Sequence, residues 1–168
     1  MQSGDAISML MTMASLQDEH NVQVHAEWKE QGHDYYRAIW VECAEMLDHF
    51  GWKWWKKQEP DINQVKLELV DIWHFALSEL IRSGQLNESL GEELAMVESV
   101  KATPETFRKA IESLAISSLQ SRSFQMSDFT NAMRTLPMDL KELFSLYVGK
   151  NVLNRFRQDN GYKEGSYR

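Results

Sequence analysis

Cysteine is almost missing from this 168-residue chain, where Cys43 stands alone. That excludes an intrachain disulfide framework and any zinc cluster built on thiolates, and it leaves Cys43 as a small buried apolar residue. Proline is nearly as scarce, at three, and the eight glycines fall singly, so there is no glycine-rich phosphate loop, no low-complexity tract and no linker. No stretch approaches the roughly 20 consecutive apolar residues that a bilayer span requires. The opening Met1-Gln2-Ser3-Gly4-Asp5 lacks the basic region of a secretory signal. The expectation is a cytoplasmic protein with no membrane partner. Cations are also in deficit, 18 Lys and Arg against 25 Asp and Glu, for a net charge of -7. A chain this acidic is a poor nucleic-acid binder, because that affinity comes mostly from neutralising many phosphates.

Period-two alternation between turn signals is missing as well, whereas apolar residues recur at spacings of three and four, which predicts an all-α helical bundle with no sheet. The pattern places helices at about 5–20, 33–50, 61–82, 86–101, 104–122, 126–135 and 138–158. Asp61 with Gln64 three residues later, and Thr103-Pro104-Glu105, are helix starts with their own capping chemistry; Gly51, Gly84 and Gly161 mark stops. The length suits one domain over 1–168. Within it the six tryptophans all fall between Trp28 and Trp73, and residues 150–168 carry five cations (Lys150, Arg155, Arg157, Lys163, Arg168) against Asp159 and Glu164. That basic tail suits one small polyphosphate. Apolar residues on more than one face of the 61–82 helix, among them Val65, Leu69, Ile72, Trp73, Phe75, Leu77 and Leu80, predict a homodimer, since two neighbours do not readily cover so much surface.

The informative feature is a pair of acid pairs, Glu42 with Glu45 and Glu68 with Asp71. Residues three apart share a helix face, so each helix presents two carboxylates side by side. A solvated acidic face normally intersperses Lys or Arg one turn away. Here the flanking positions are Ala38, Ile39, Val41, Met46 and His49 on one helix, and Gln64, Val65, Leu67, Ile72, His74 and Phe75 on the other. Antiparallel packing across the Gly51–Pro60 connection brings the four acids to one patch, and uncompensated like charges are costly unless a multivalent cation joins them. All-carboxylate ligation favours magnesium, two or more ions with manganese as a substitute, over zinc. A carboxylate-bridged di-iron site is the competing metal reading, because His49 and His74 stand near the acids, but only half of its pattern of inward Glu-x-x-His pairs is present. On the di-iron alternative's failure, His74 reads as a packed core residue and His49 as a helix-end residue.

The blocks Trp40-Val41-Glu42-Cys43-Ala44-Glu45-Met46, Gly51-Trp52-Lys53-Trp54-Trp55-Lys56-Lys57 and Glu68-Leu69-Val70-Asp71-Ile72-Trp73-His74-Phe75 closely resemble the all-alpha dimeric dUTPase family. The segments Tyr147-Val148-Gly149-Lys150-Asn151-Val152-Leu153-Asn154-Arg155-Phe156-Arg157-Gln158 and Asn160-Gly161-Tyr162-Lys163 are similar to its C-terminal phosphate-binding segment. Residues 83–137 match nothing in that pattern and read as a family-variable helical region. The resemblance implies the all-alpha NTP pyrophosphohydrolase fold, which MazG-like enzymes and phage dCTPases share. It also implies a homodimer and magnesium-dependent hydrolysis of dUTP, with dUDP also accepted, to dUMP. In this reading Glu42, Glu45, Glu68 and Asp71 hold the metal, and Glu45, with Glu42 beside it, orients or deprotonates the attacking water. Phosphate neutralisation falls to Lys56, Lys150, Asn151, Asn154, Arg157, Tyr162 and Lys163, with Lys53 nearby. Trp54 would stack on the base, while Gln17 and Asn21, four apart on the first helix, hydrogen-bond its edge. The expected order of preference is dUTP over dCTP, and over dTTP because a tryptophan-lined pocket would exclude the C5 methyl. The alternatives are a dual dCTPase and dUTPase, another MazG-like pyrophosphohydrolase, a di-iron bundle and a non-catalytic nucleotide-binding protein.

Overall fold

A computed structural model describes residues 1–159; Tyr162 and Lys163 lie outside the described residues. Among the described residues seven α-helices follow in order: α1 (Ser3–Val24), α2 (Tyr35–Phe50), α3 (Ile62–Arg82), α4 (Glu88–Ala95), α5 (Pro104–Ser121), α6 (Met126–Thr135) and α7 (Leu140–Asp159). A single 3₁₀ turn at Trp28–Glu30 joins α1 to α2, and no strand occurs among the described residues. No helix among them is long and apolar enough to cross a membrane.

The caps legible in the sequence form. The Asp61 side chain accepts from the Gln64 amide at the start of α3. Thr103 and Thr106 make a reciprocal capping box around Pro104 at the start of α5, so threonine takes the place of the usual Glu or Gln. Gly51 ends α2 at φ 98°, in the region only glycine enters freely. Helix α4 is the main departure, stopping at Ala95 rather than near residue 101. The Met96 and Val97 amides tighten onto the carbonyls of Glu93 and Leu94, and Val100 then donates to the Arg134 carbonyl beyond α4. A tertiary partner thus claims the backbone that helical propensity would have continued.

Helix α3 is the hub. It packs along α2 and also against α1 and α7, and α5 and α6 close the far side of α2 and of the core. Twelve of its residues are buried. Its Trp73 stacks on Phe129 of α6 at 5.0 Å and donates its indole N–H to the Met13 sulfur of α1 at 3.3 Å. Val65, Leu69, Ile72, Trp73, Leu77 and Leu80 are therefore covered by helices of the same chain. The apolar excess on α3 is met internally and gives no argument for a second copy. Helix α4 lies unusually close to α1: a Cβ at Gly91 would stand 2.8 Å from Ile7 Cγ1 and 2.9 Å from Ile7 Cα.

Candidate active site

Two helical stripes face each other. On α2, Tyr35, Glu42, Glu45 and His49 recur at steps of seven, three and four; on α3, Glu68, Asp71, Phe75 and Ser78 recur at three, four and three. The helices run antiparallel, since the Asp61 amide before α3 donates to the His49 carbonyl near the end of α2, while Tyr35 at its start lies beside Ser78 and Arg82. This brings one carboxylate oxygen from each of Glu42, Glu45 and Glu68 within 4.8 Å of the others. Glu68 is only 3% exposed. Glu42 Oε2 and Glu68 Oε2 are buried without a hydrogen-bond partner.

The electrostatics follow from that crowding. Burial, and then the charges of Asp71, Glu45 and Glu68, push the Glu42 carboxyl up to about 8. Burial also raises Glu68, against a lowering by His49, whose Nδ1 stands 2.6 Å from Glu68 Oε1. Asp71 sits outside the three-carboxylate group. Burial raises its carboxyl while Lys150, at 3.6 Å, opposes the rise. Cys43, on the opposite side of α2, is buried and held up to about 12, which keeps the thiol protonated.

A cleft of about 340 Å³ opens beside the acids, lined by Glu42 and Asp71, by Gln17, His20 and Asn21 of α1, by Tyr35, His74, Phe75 and Ser78, and by Lys150, Asn154 and Arg157 of α7. Its α1 end holds a directed hydrogen-bond chain. The Ser78 hydroxyl donates to the His74 carbonyl, which only accepts, so Ser78 Oγ accepts from Asn21 Nδ2 at 2.9 Å. Asn21 Oδ1 then accepts from Gln17 Nε2 at 2.9 Å. Gln17 Oε1 faces the Tyr147 hydroxyl at 2.8 Å and His74 Nδ1 at 2.7 Å. An amide oxygen only accepts, so the His74 proton is on Nδ1 and Nε2 keeps its lone pair. That Nε2 is buried and unpartnered, and burial holds the ring neutral, its pKa down at about 3.

The structure thus gathers Gln17, Asn21, Glu42, Asp71, Lys150, Asn154 and Arg157 in one cleft, with Glu45 and Glu68 beside Glu42. It does not bring the remaining described residues there. Asn151 is buried and its amide points to the Leu16 carbonyl, fastening α7 to α1. Trp54, 86% exposed, lies with Lys53 and Lys56 in a separate hollow against Pro104, Glu105 and Arg108. Arg108 holds that connection by donating to the Gly51 carbonyl at 2.8 Å. Within one chain, therefore, Tyr35 and Phe75 rather than a tryptophan supply the aromatic walls of the cleft. Phe75 and Ser78 carry no charge that would mark them as site residues in the sequence, although they continue the Glu68–Asp71 stripe at helical spacing. Tyr147 carried no such signal, because its contact with Gln17 spans 130 positions.

A sequence model of the dUTPase family matches residues 9–162. The chain belongs to the dUTPase family. It is a dUTP diphosphatase, and its substrate is a deoxyuridine nucleotide. The bounds of the match enclose 83–137. No curated protein matches the sequence.

Proposed function

We propose that this dUTPase hydrolyses dUTP to dUMP and pyrophosphate with magnesium held at Glu42, Glu45 and Glu68, Asp71 adding charge from the cleft wall. The observation that carries this reading is the convergence of three carboxylates within 4.8 Å, two of them with a buried oxygen that has no partner. Carboxylate oxygens, two of them buried and without a hydrogen-bond donor, suit a hard divalent cation. When bound, magnesium supplies charge neutralisation and Lewis acidity for a triphosphate that brings about four negative charges of its own. The converging donors are all carboxylates, and His74 Nδ1 is committed to Gln17, which disfavours the di-iron alternative.

The chain's own groups divide the remaining work. Glu45, the exposed member of the group, is placed to orient the attacking water and accept its proton. Lys150, Asn154 and Arg157 line the cleft from successive turns of α7; the two cations offset phosphate charge and the Asn154 amide donates an N–H to a phosphate oxygen. Water adds across one phosphoanhydride bond of dUTP, and the products are dUMP and pyrophosphate. No side chain need form a covalent intermediate. The same chemistry serves dUDP.

Base selection follows from the fixed polarity at the α1 end. Uracil presents acceptor, donor and acceptor along its edge, whereas cytosine presents donor, acceptor and acceptor. The spare N–H groups of Gln17 and Asn21 suit carbonyl oxygens, and the lone pair on His74 Nε2 suits the uracil N3–H. Cytosine would set its N3 lone pair against that of His74, a mismatch of the kind that can discriminate by about 10⁴. A homodimer in the cytoplasm completes the reading. With α3 satisfied internally, the surface available to a second copy includes Val152, Leu153 and Phe156 on α7 and Ile116 and Leu119 on α5, all exposed.

The test is release of pyrophosphate from dUTP, dCTP and UTP, and of phosphate from dUDP, with magnesium and with EDTA. Release from dUTP that requires the metal is the expected result. Turnover undiminished in EDTA would remove the metal from the reading, and equal efficiency with dCTP would assign the dual activity.

A further inference from the structure

His49 belongs to no part of the reading above, yet it touches the most buried of the three acids. It occupies the last turn of α2 on the stripe of Glu42 and Glu45. Its Nδ1 lies 2.6 Å from Glu68 Oε1 and 3.0 Å from the Glu45 carbonyl. Both neighbours are acceptors, so the ring carries a proton on Nδ1 and donates it, and that nitrogen is not a metal ligand. The main chain at this point is fixed, because the His49 carbonyl accepts from the Asp61 amide at 3.1 Å, where α3 begins. The ring itself is 47% exposed, so it contributes little to the core, and its Nδ1 is held between the Glu68 carboxylate and the Glu45 carbonyl.

A carboxylate on a flexible side chain can turn and present either oxygen. Here one oxygen of Glu68, Oε1, stands against His49, the other, Oε2, is buried and unpartnered, and one carboxylate oxygen of Glu68 lies within 4.8 Å of those of Glu42 and Glu45. Holding the first oxygen fixes the plane of the carboxylate and so directs the second. Hydrogen bonds to metal-ligating carboxylates act in this way, and losing one costs about 10- to 100-fold in metal affinity.

We infer that His49 is a positioning residue for the cation site, holding Glu68 so that its free oxygen faces the group formed with Glu42 and Glu45. The inference rests on those carboxylates binding a divalent cation, and the experiment separates the two claims. Mn²⁺ binding to the purified protein is followed by electron paramagnetic resonance for wild type, His49→Leu, His49→Asn and Glu68→Gln. Asparagine places an N–H where the Nδ1–H of histidine stands, and leucine offers none. The expected result is tight binding by wild type, a loss of about 10- to 100-fold in His49→Leu, recovery in His49→Asn, and the largest loss in Glu68→Gln. In the activity assay, the magnesium concentration for half-maximal rate should rise in His49→Leu more than the rate at saturating metal falls. His49→Ala supplies the same donor-less comparison if the leucine variant does not fold. Wild-type binding that is unchanged in His49→Leu, or as weak in His49→Asn as in His49→Leu, would overturn the positioning role. Absence of Mn²⁺ binding by wild type would instead remove the cation site and the inference with it.

Discussion

The crowding at Glu42 should make the metal-free protein lose stability as pH rises, and Glu42→Gln should abolish that loss. The carboxyl sits at about 8 in the folded chain, raised first by burial and then by Asp71, Glu45 and Glu68, against an ordinary value of 4.5. Between those two values the folded protein keeps a proton that the unfolded chain has already released. The folded state therefore binds more protons, and stability falls with increasing pH across that window and levels off above it. At about 1.4 kcal/mol per tenfold change, the full interval is a ceiling of about 5 kcal/mol. The cluster shares this repulsion and Glu45 is exposed to water, so screening lowers the expected effect to about 1–2 kcal/mol. For a chain of this size that is about 2–8 °C in Tm. Glutamine keeps the shape of the protonated acid without its titration. In EDTA, differential scanning fluorimetry at pH 5, 6, 7 and 8.5 should show the variant melting progressively above wild type as pH rises. Magnesium should then narrow the gap by stabilising wild type more. A gap that stays constant from pH 5 to 8.5, or a variant that melts below wild type, would refute the view that these acids repel one another in the folded state.

Glu45→Gln, Glu68→Gln and Asp71→Asn should each lower kcat by about two or more orders of magnitude with the fold intact by circular dichroism, and the loss at Asp71 should be smallest because it lies outside the three-carboxylate group. Gln17→Ala should reduce the kcat/KM preference for dUTP over dCTP by about tenfold or more, measured by competition, because it releases His74, Asn21 and Tyr147 together. Light scattering at micromolar concentration should report a dimer, and substituting Phe156 and Val152 by serine should shift it toward monomer without unfolding.

Fold class and helix positions were legible because apolar spacing and caps such as Asp61 and Thr103 are local signals. The acid pairs were legible for the same reason, since an i,i+3 repeat says which face carries charge. Contacts between distant segments were not legible. Nothing near Lys150 in sequence reveals that it lies beside Asp71, and nothing near Tyr147 points to Gln17. Asn151 sits in the same basic block as Lys150, yet one step of 100° around α7 turns it from the cleft to the Leu16 carbonyl. The apolar face of α3 says little about a second copy, because α1, α2 and α7 of the same chain pack on it.

Gly91 gives the segment without site residues a hold over specificity. Any side chain there would meet the main chain of Ile7 and lever α4 away from α1. Ile7 is ten residues from Gln17 on the same helix, about 15 Å at 1.5 Å per residue, and a rigid rod transmits a tilt at one end to the other. The carboxylates belong to α2 and α3, whose main packing is against each other, and would feel such a tilt less than Gln17 does. Natural variation at this glycine would thus surface as relaxed nucleobase fidelity in an enzyme that still turns over, a phenotype easily mistaken for damage to the pocket itself.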